Sequence, residues 1–234
     1  MKNIIIDEQI FETFPDFMRG IIIVTDIDNS QTSKRIEELL TSEAKSKVGK
    51  EQSNSVEVLA WDEIHRKFGS NPNKFPPSIK NLLKRIEKDF VPPYINSAVA
   101  LFNYISLKYL VPCGGDDIER VEGNLHLGFA TGSEHFSGLG SEEVEAPVPG
   151  EVIYYDDATQ NIMCRKWNWR NGDFTKIQPS TKRIVINIDG ISPVSESTIT
   201  EARDQLEELL KSECKAQVST DFLKKDKRTI ELPF

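Results

Sequence analysis

The segment YINSAVALFNYISLKYL, Tyr94 to Leu110, is apolar nearly all the way round and lies between Pro92-Pro93 and Pro112. A helix of this kind has no water-facing side, so the rest of the chain must wrap it. Asn96, Asn103 and Ser106 fall on one side of it at helical spacing. A buried amide without a partner is costly, so these side chains either anchor the backbone of a neighbouring loop or face a cavity. With 234 residues, 38% of them apolar, the chain can build the core such a helix needs. No run approaches the roughly 18 apolar residues of a membrane span. MKNIIIDEQI is too short in apolar character for a signal peptide, which makes the cytoplasm the expected compartment and a membrane partner unexpected.

Around this helix the periodicity changes from segment to segment. Ser78 is placed to cap a helix that buries Ile79, Leu82, Leu83, Ile86 and Phe90. VEGNLHLGFA alternates as a strand does, and further strands are expected at Val152 to Tyr155, Ile162 to Trp169 and Arg183 to Ile188. Thr198 and Glu201 fit a capping box for a last helix burying Ile199, Ala202, Leu206, Leu209 and Leu210. Strands clustered between helices, without regular alternation, predict an α+β fold. Residues 1–75 hold a strand candidate at Gly20 to Val24 and read as a structural part packed on the same unit. The functional domain is expected over 76–215, and 216–234 as a C-terminal tail.

Cys113, Cys164 and Cys214, like His65, His126 and His135, show no metal-ligand spacing, so no metal is expected. Gly138-Leu139-Gly140 lacks the strand-to-helix context of a dinucleotide site, and no cofactor is expected. The net charge of −8 gives no overall attraction for nucleic acid, and DNA is not an expected partner. Locally the balance differs, with six Lys/Arg against one Asp in 162–183 and six acids without a base in 142–157. Either Arg165, Lys166, Arg170 and Lys176 meet RNA phosphates, or the two segments attract each other. Alternation along a strand would put Trp167 and Trp169 on one face, as a pocket wall or as core.

Gly114-Gly115 in VPCGGDDIERVEG permit close backbone approach and can present N–H groups to a carbonyl. If only a ligand demands Gly115, a valine there blocks the ligand and spares the fold. Asp117 is the first candidate for a general base, with Asp116 and Glu122 beside it.

These motifs carry a resemblance. From about Pro77 to Leu210 the chain resembles the B-three/B-four domain of the phenylalanyl-tRNA synthetase β chain. PPSIKNLLKRI, YINSAVALFNYISL, PCGGDDIERVEG, GEVIYYDD, CRKWNWRNGDFTKI and STKRIVINIDG occur in the family's order. The resemblance implies a central β-sandwich of unusual topology flanked by helices. It also implies a role at the aminoacyl end of tRNA, where that domain hydrolyses tyrosine wrongly attached to the phenylalanine tRNA. Gly114 falls where the synthetase has its editing histidine, and Asn187 where it has a pocket glutamate. The implied pocket holds Asn103, Gly114, Gly115, Trp167, Trp169 and Asn187. The expected partner is tRNA or aminoacyl-tRNA, with a trans-acting deacylase as one reading and a non-catalytic amino-acid or RNA-binding protein as the other.

Overall fold

The computed structural model describes residues 1–234. The chain begins with β1 (Asn3–Ile6), α1 (Glu8–Thr13), β2 (Met18–Asp26), α2 (Lys34–Lys47) and α3 (Val56–Lys67). It continues through α4 (Ser78–Ile86), α5 (Ser97–Tyr109), β3 (Cys113–Asp117), β4 (Leu125–Phe129), β5 (Val152–Asp156), β6 (Ile162–Arg165) and β7 (Arg170–Asn171). The last elements are β8 (Ile184–Gly190), α6 (Glu196–Cys214), β9 (Gln217–Leu223) and β10 (Thr229–Glu231). The architecture is mixed α+β, with a six-stranded sheet in the order β10-β1-β4-β5-β6-β7 and a four-stranded sheet in the order β3-β8-β2-β9. No helix is long and apolar enough to cross a membrane.

The apolar helix α5 is buried along most of its length, from Ala98 through Leu107, as its composition demands. Two of the three polar residues of its stripe anchor neighbouring backbone. Asn96 caps the helix through Val99 N at 3.0 Å and donates to Ile177 O at 3.2 Å, and Ser106 Oγ accepts from Cys113 N at 3.1 Å. Helices α5 and α6 cover one face of the four-stranded sheet, where Gly115 faces Phe102 and Gly190 faces Ile199. Strands present alternate residues to opposite faces, so Arg19, Gly114, Asp116, Asn187 and Asp189 look the other way, toward the six-stranded sheet. The Arg19 guanidinium accordingly lies 5.2 Å from the ring of Tyr154 on β5.

Several local expectations are corrected. α6 starts at Glu196 with Ser195 as its cap, accepting from Thr198 N at 3.1 Å, so Thr198 is inside the helix. Ser78 is likewise the first helical residue of α4, after Pro77. Residues 162–169 do not form one strand: β6 ends at Arg165, and a turn through 166–169 leads to β7. Residues 216–234 supply β9 and β10, which pair with β2 and β1. Both chain ends are therefore woven into the two sheets.

Candidate functional site

A cavity of about 300 Å³ opens between the sheets. Its four-stranded wall is Gly114, Gly115 and Asp116 of β3 beside Asn187 and Asp189 of β8 and Arg19 of β2. Tyr154, Cys164, the turn residues Trp167 to Trp169 and Arg170 of β7 form the opposite wall, and Leu139 sits exposed at the rim. Gly114, Gly115, Trp167, Trp169 and Asn187, far apart in the chain, thus converge on one space. Asn103 does not line it, because α5 covers the other face of the sheet.

The floor is a buried ion pair that sequence reasoning missed. Arg19 donates to Asp189 through Nε at 2.6 Å and Nη2 at 2.9 Å, and Asp189 also accepts from Trp167 Nε1 at 3.0 Å. Burial lowers the pKa of Arg19, but Asp189 outweighs burial and the net shift is upward. The available signal was a lone cation opening the apolar run MRGIIIV and a lone acid closing IVINIDG. Antiparallel pairing of β2 and β8 sets the two opposite each other.

Parity also decides between the two acids of β3. Asp116 lines the cavity, is 7% exposed and accepts from Thr175 Oγ1 at 2.5 Å. Burial is the main cause that pushes its pKa up to about 6, with Asp117 adding to it and Thr175 and Arg19 opposing it. Asp117 lies on the opposite side of the strand, where it accepts from Glu119 N at 3.0 Å and Thr181 Oγ1 at 2.7 Å. Asp117 is therefore a turn-capping group, and the carboxyl available to cavity chemistry is Asp116. Glu122 is absent from the lining as well.

The open edge of β3 supplies a donor. Gly114 pairs with Asn187 in the ladder, while Cys113 N and Asp117 N point outward to Ser106 Oγ and Thr175 O. Gly115 lies between them with the same orientation, and its N–H meets no acceptor of the protein. Four side-chain polar atoms of the lining are buried without partners: Arg19 Nη1, the Tyr154 hydroxyl, Asn168 Nδ2 and Asn187 Oδ1. Burial keeps the phenol firmly protonated, with Arg19 and the neighbouring Asn187 side chain opposing it. Buried unpaired groups of this kind cost about 1–3 kcal/mol each, a cost that a ligand bearing the complementary groups relieves. A Cβ on Gly115 would stand 2.9 Å from Phe102 Cζ and 3.0 Å from Val185 O. Valine at Gly115 therefore disturbs the fold, contrary to the sequence expectation.

The tryptophans and cations are arranged by the turn. Lys166 and Trp167 have φ of 47° and 65°, unusual for residues other than glycine. The turn is held because the Trp167 ring is buried against Phe14, Phe17 and Trp61 at centroid distances of 5.0, 4.8 and 5.5 Å. Trp167 is thus core with one edge in the cavity, whereas Trp169 is half-buried against Phe75. Arg165 and Lys166 are turned inward. Arg165 binds Glu151 through Nε and Nη2, both at 2.8 Å, and Lys166 Nζ binds the same carboxylate at 2.7 Å. Burial raises the pKa of Glu151, but these two cations outweigh it and the net shift is downward. With Arg165 also paired to Glu145 at 2.7 Å, neither cation is free for a phosphate. Arg170 and Lys176 remain partly exposed beside Glu145 and Asp173.

The two sheets, with the cavity between them, define an α+β domain. The model of the B3/4 domain family matches residues 60–214, more than half of the chain, and the protein belongs to that family. Comparison with curated proteins gives no match. Among solved structures the chain is similar to an N-terminal fragment of the phenylalanyl-tRNA synthetase β-subunit from Pyrococcus horikoshii, at 12% identity and a TM-score of 0.47. That similarity covers 91% of this chain and 49% of the fragment, so the chain spans about half of its length. β1, α1, β2 and α2 precede the family match and β9 and β10 follow it, so Arg19 reaches the cavity from outside the matched segment.

Proposed function

We propose that the cavity binds the aminoacyl end of tRNA and that the protein hydrolyses the ester of a mischarged aminoacyl-tRNA in trans. Membership of the B3/4 family and the motif resemblance to a synthetase editing domain support the substrate class. The observation that carries the chemistry is Asp116, a buried carboxyl with a pKa near 6 on the same short strand as the free N–H of Gly115. A base of that pKa is largely ionised at neutral pH yet basic enough to take a proton from water. In the proposed reaction water oxygen attacks the ester carbonyl while its proton passes to Asp116. The carbonyl oxygen, now negative, is held by the Gly115 N–H. Collapse of the adduct breaks the bond to the ribose oxygen, which takes the proton and leaves as the hydroxyl. The histidine of the synthetase is not needed for this route.

The experiment is deacylation of a panel of mischarged tRNAs by purified protein. Accelerated ester loss with at least one of them, strongly reduced by Asp116→Asn, is the expected result. Intact esters at high protein concentration overturn the hydrolase. Retained tRNA binding in those same samples would identify a binding protein instead.

A further inference from the structure

The two glycines of β3 have different reasons to exist. Gly115 is required by its neighbours, since a side chain there runs into Phe102 and the backbone of Val185. At Gly114 an added Cβ would meet nothing within 4 Å, and the residue sits in regular strand without the positive φ that calls for glycine. Glycine inside a strand weakens it and commonly marks close approach by a ligand or another backbone. No other part of the protein makes that approach, so an outside molecule is the remaining candidate.

The surroundings specify what kind of molecule. Gly114 is paired across the ladder with Asn187, whose buried Oδ1 has no donor from the protein. Asp116 follows on the same face of β3, diagonal to Asn187 at the ~7–8 Å usual for such neighbours. Among the charged cavity residues, Arg19 and Asp189 pair with each other, Arg19 Nη1 being left buried without an acceptor, and Arg170 lies 3.6 Å from Glu145. Asp116 has only the Thr175 hydroxyl as a partner. The wall is therefore a patch without side chain, bordered by an amide acceptor and a carboxyl with no cation of its own.

We propose that Gly114 is the specificity-determining position of the cavity: the α-carbon end of an aminoacyl group lies against the bare strand, and its protonated amine donates to Asn187 Oδ1 in the field of Asp116. The inference deepens, and rests on, the reading of the cavity as an aminoacyl site. The amine of the substrate then helps to keep Asp116 ionised for its role as base.

The test uses adenosine carrying an aminoacyl group in amide linkage, which resists hydrolysis, together with its counterpart lacking the α-amine. Dissociation constants are measured by titration into wild type, Gly114→Ala, Gly114→Val and Asn187→Leu, each with a thermal melt. The wild type should prefer the amine-bearing probe by about tenfold or more, as for a hydrogen bond to a charged group. Gly114→Val should weaken both probes by about tenfold or more through steric exclusion, with Gly114→Ala between, while neither variant melts below wild type. Asn187→Leu should bind the two probes alike. A Gly114→Val protein that binds as wild type does, or that melts lower, overturns the inference. Equal binding of the two probes by wild type also overturns it and leaves the aminoacyl reading standing. No binding of either probe by wild type removes both.

Discussion

The turn at residues 166–169 and the β3–β8 wall stand on opposite sides of one cavity, and both are rich in polar groups. In the turn every charge is answered. Glu151 takes Arg165 and Lys166, Glu145 takes Arg165 again, and the ring of Trp167 is packed on three sides by other aromatics. Across the cavity the Gly115 N–H and Asn187 Oδ1 lack protein partners, and Asp116 is buried with no cation paired to it. Asn168 Nδ2 in the turn is itself buried without a partner, so the contrast lies in the charges, which the turn pairs among themselves while Asp116 has no cation of its own. Cationic composition left residues 162–183 either as an RNA contact or as the partner of the acidic segment 142–157. The pairing of charges points across the cavity, to Asp116.

The strongest way to break this contrast is to remove Glu151. If the turn is a closed structural network, Glu151→Ala leaves Arg165 and Lys166 buried with only Glu145 to oppose them. Losing one partner of a buried ion pair costs about 3–5 kcal/mol, to be read from urea unfolding. A loss below about 1 kcal/mol would mean that the cations escape to solvent and that the turn is an open surface after all.

Next in size is the effect of Asp116→Asn, which should slow deacylation about 100-fold or more if Asp116 is the base. The same residue has a second signature. Its pKa rises from 3.8 in the unfolded chain to about 6 in the fold, because burial disfavours the ionised form. Between those two values the folded protein binds more protons than the unfolded one, so the contribution of Asp116 to stability falls as pH rises through this window. Asp116→Asn should therefore gain stability relative to wild type on going from pH 4 to pH 7. A constant difference in urea midpoint across that range would show that the carboxyl is not buried as described.

Gly115→Val should act through the fold, losing about 1–3 kcal/mol as the side chain presses on Phe102 and Val185 O. Retained stability in the urea midpoint would place the Gly115 side of β3 against open space rather than against α5.

How much of this was legible depended on range in sequence. The α+β class, α5, β4, β5 and the core face of α6 follow from periodicity within a dozen residues, and the structure keeps them. The turn did not announce itself, because Lys166 and Trp167 adopt positive φ and neither residue type signals it. Alternation was therefore carried through a point where the chain reverses. Choosing Asp116 over Asp117 needs the parity of β3 relative to α5, a tertiary fact that two adjacent acids do not encode. Arg19 and Asp189 are 170 positions apart in the chain, and only the pairing of β2 with β8 brings them together. Motif order predicts that Asn103, Gly114, Gly115 and Asn187 share one cavity, and all of them but Asn103 line it.

The smallest effect concerns the cations left over. Arg170 and Lys176 are 40% and 37% exposed, with Glu145 at 3.6 Å and Asp173 at 2.9 Å as partners. Exposed pairs of this kind are worth little, so a phosphate can compete for either cation. Each phosphate contact contributes about 0.7–0.9 to the slope of log affinity against log salt. Arg170→Gln with Lys176→Gln should therefore flatten the slope for tRNA binding by between about 1 and 2, with only a modest loss of affinity at physiological salt. Arg165→Gln should lower stability instead, because that cation is committed to Glu151 and Glu145. A folded Arg165→Gln protein whose salt slope falls while the double variant's does not would return the phosphate contact to the turn and reverse the contrast between the two walls.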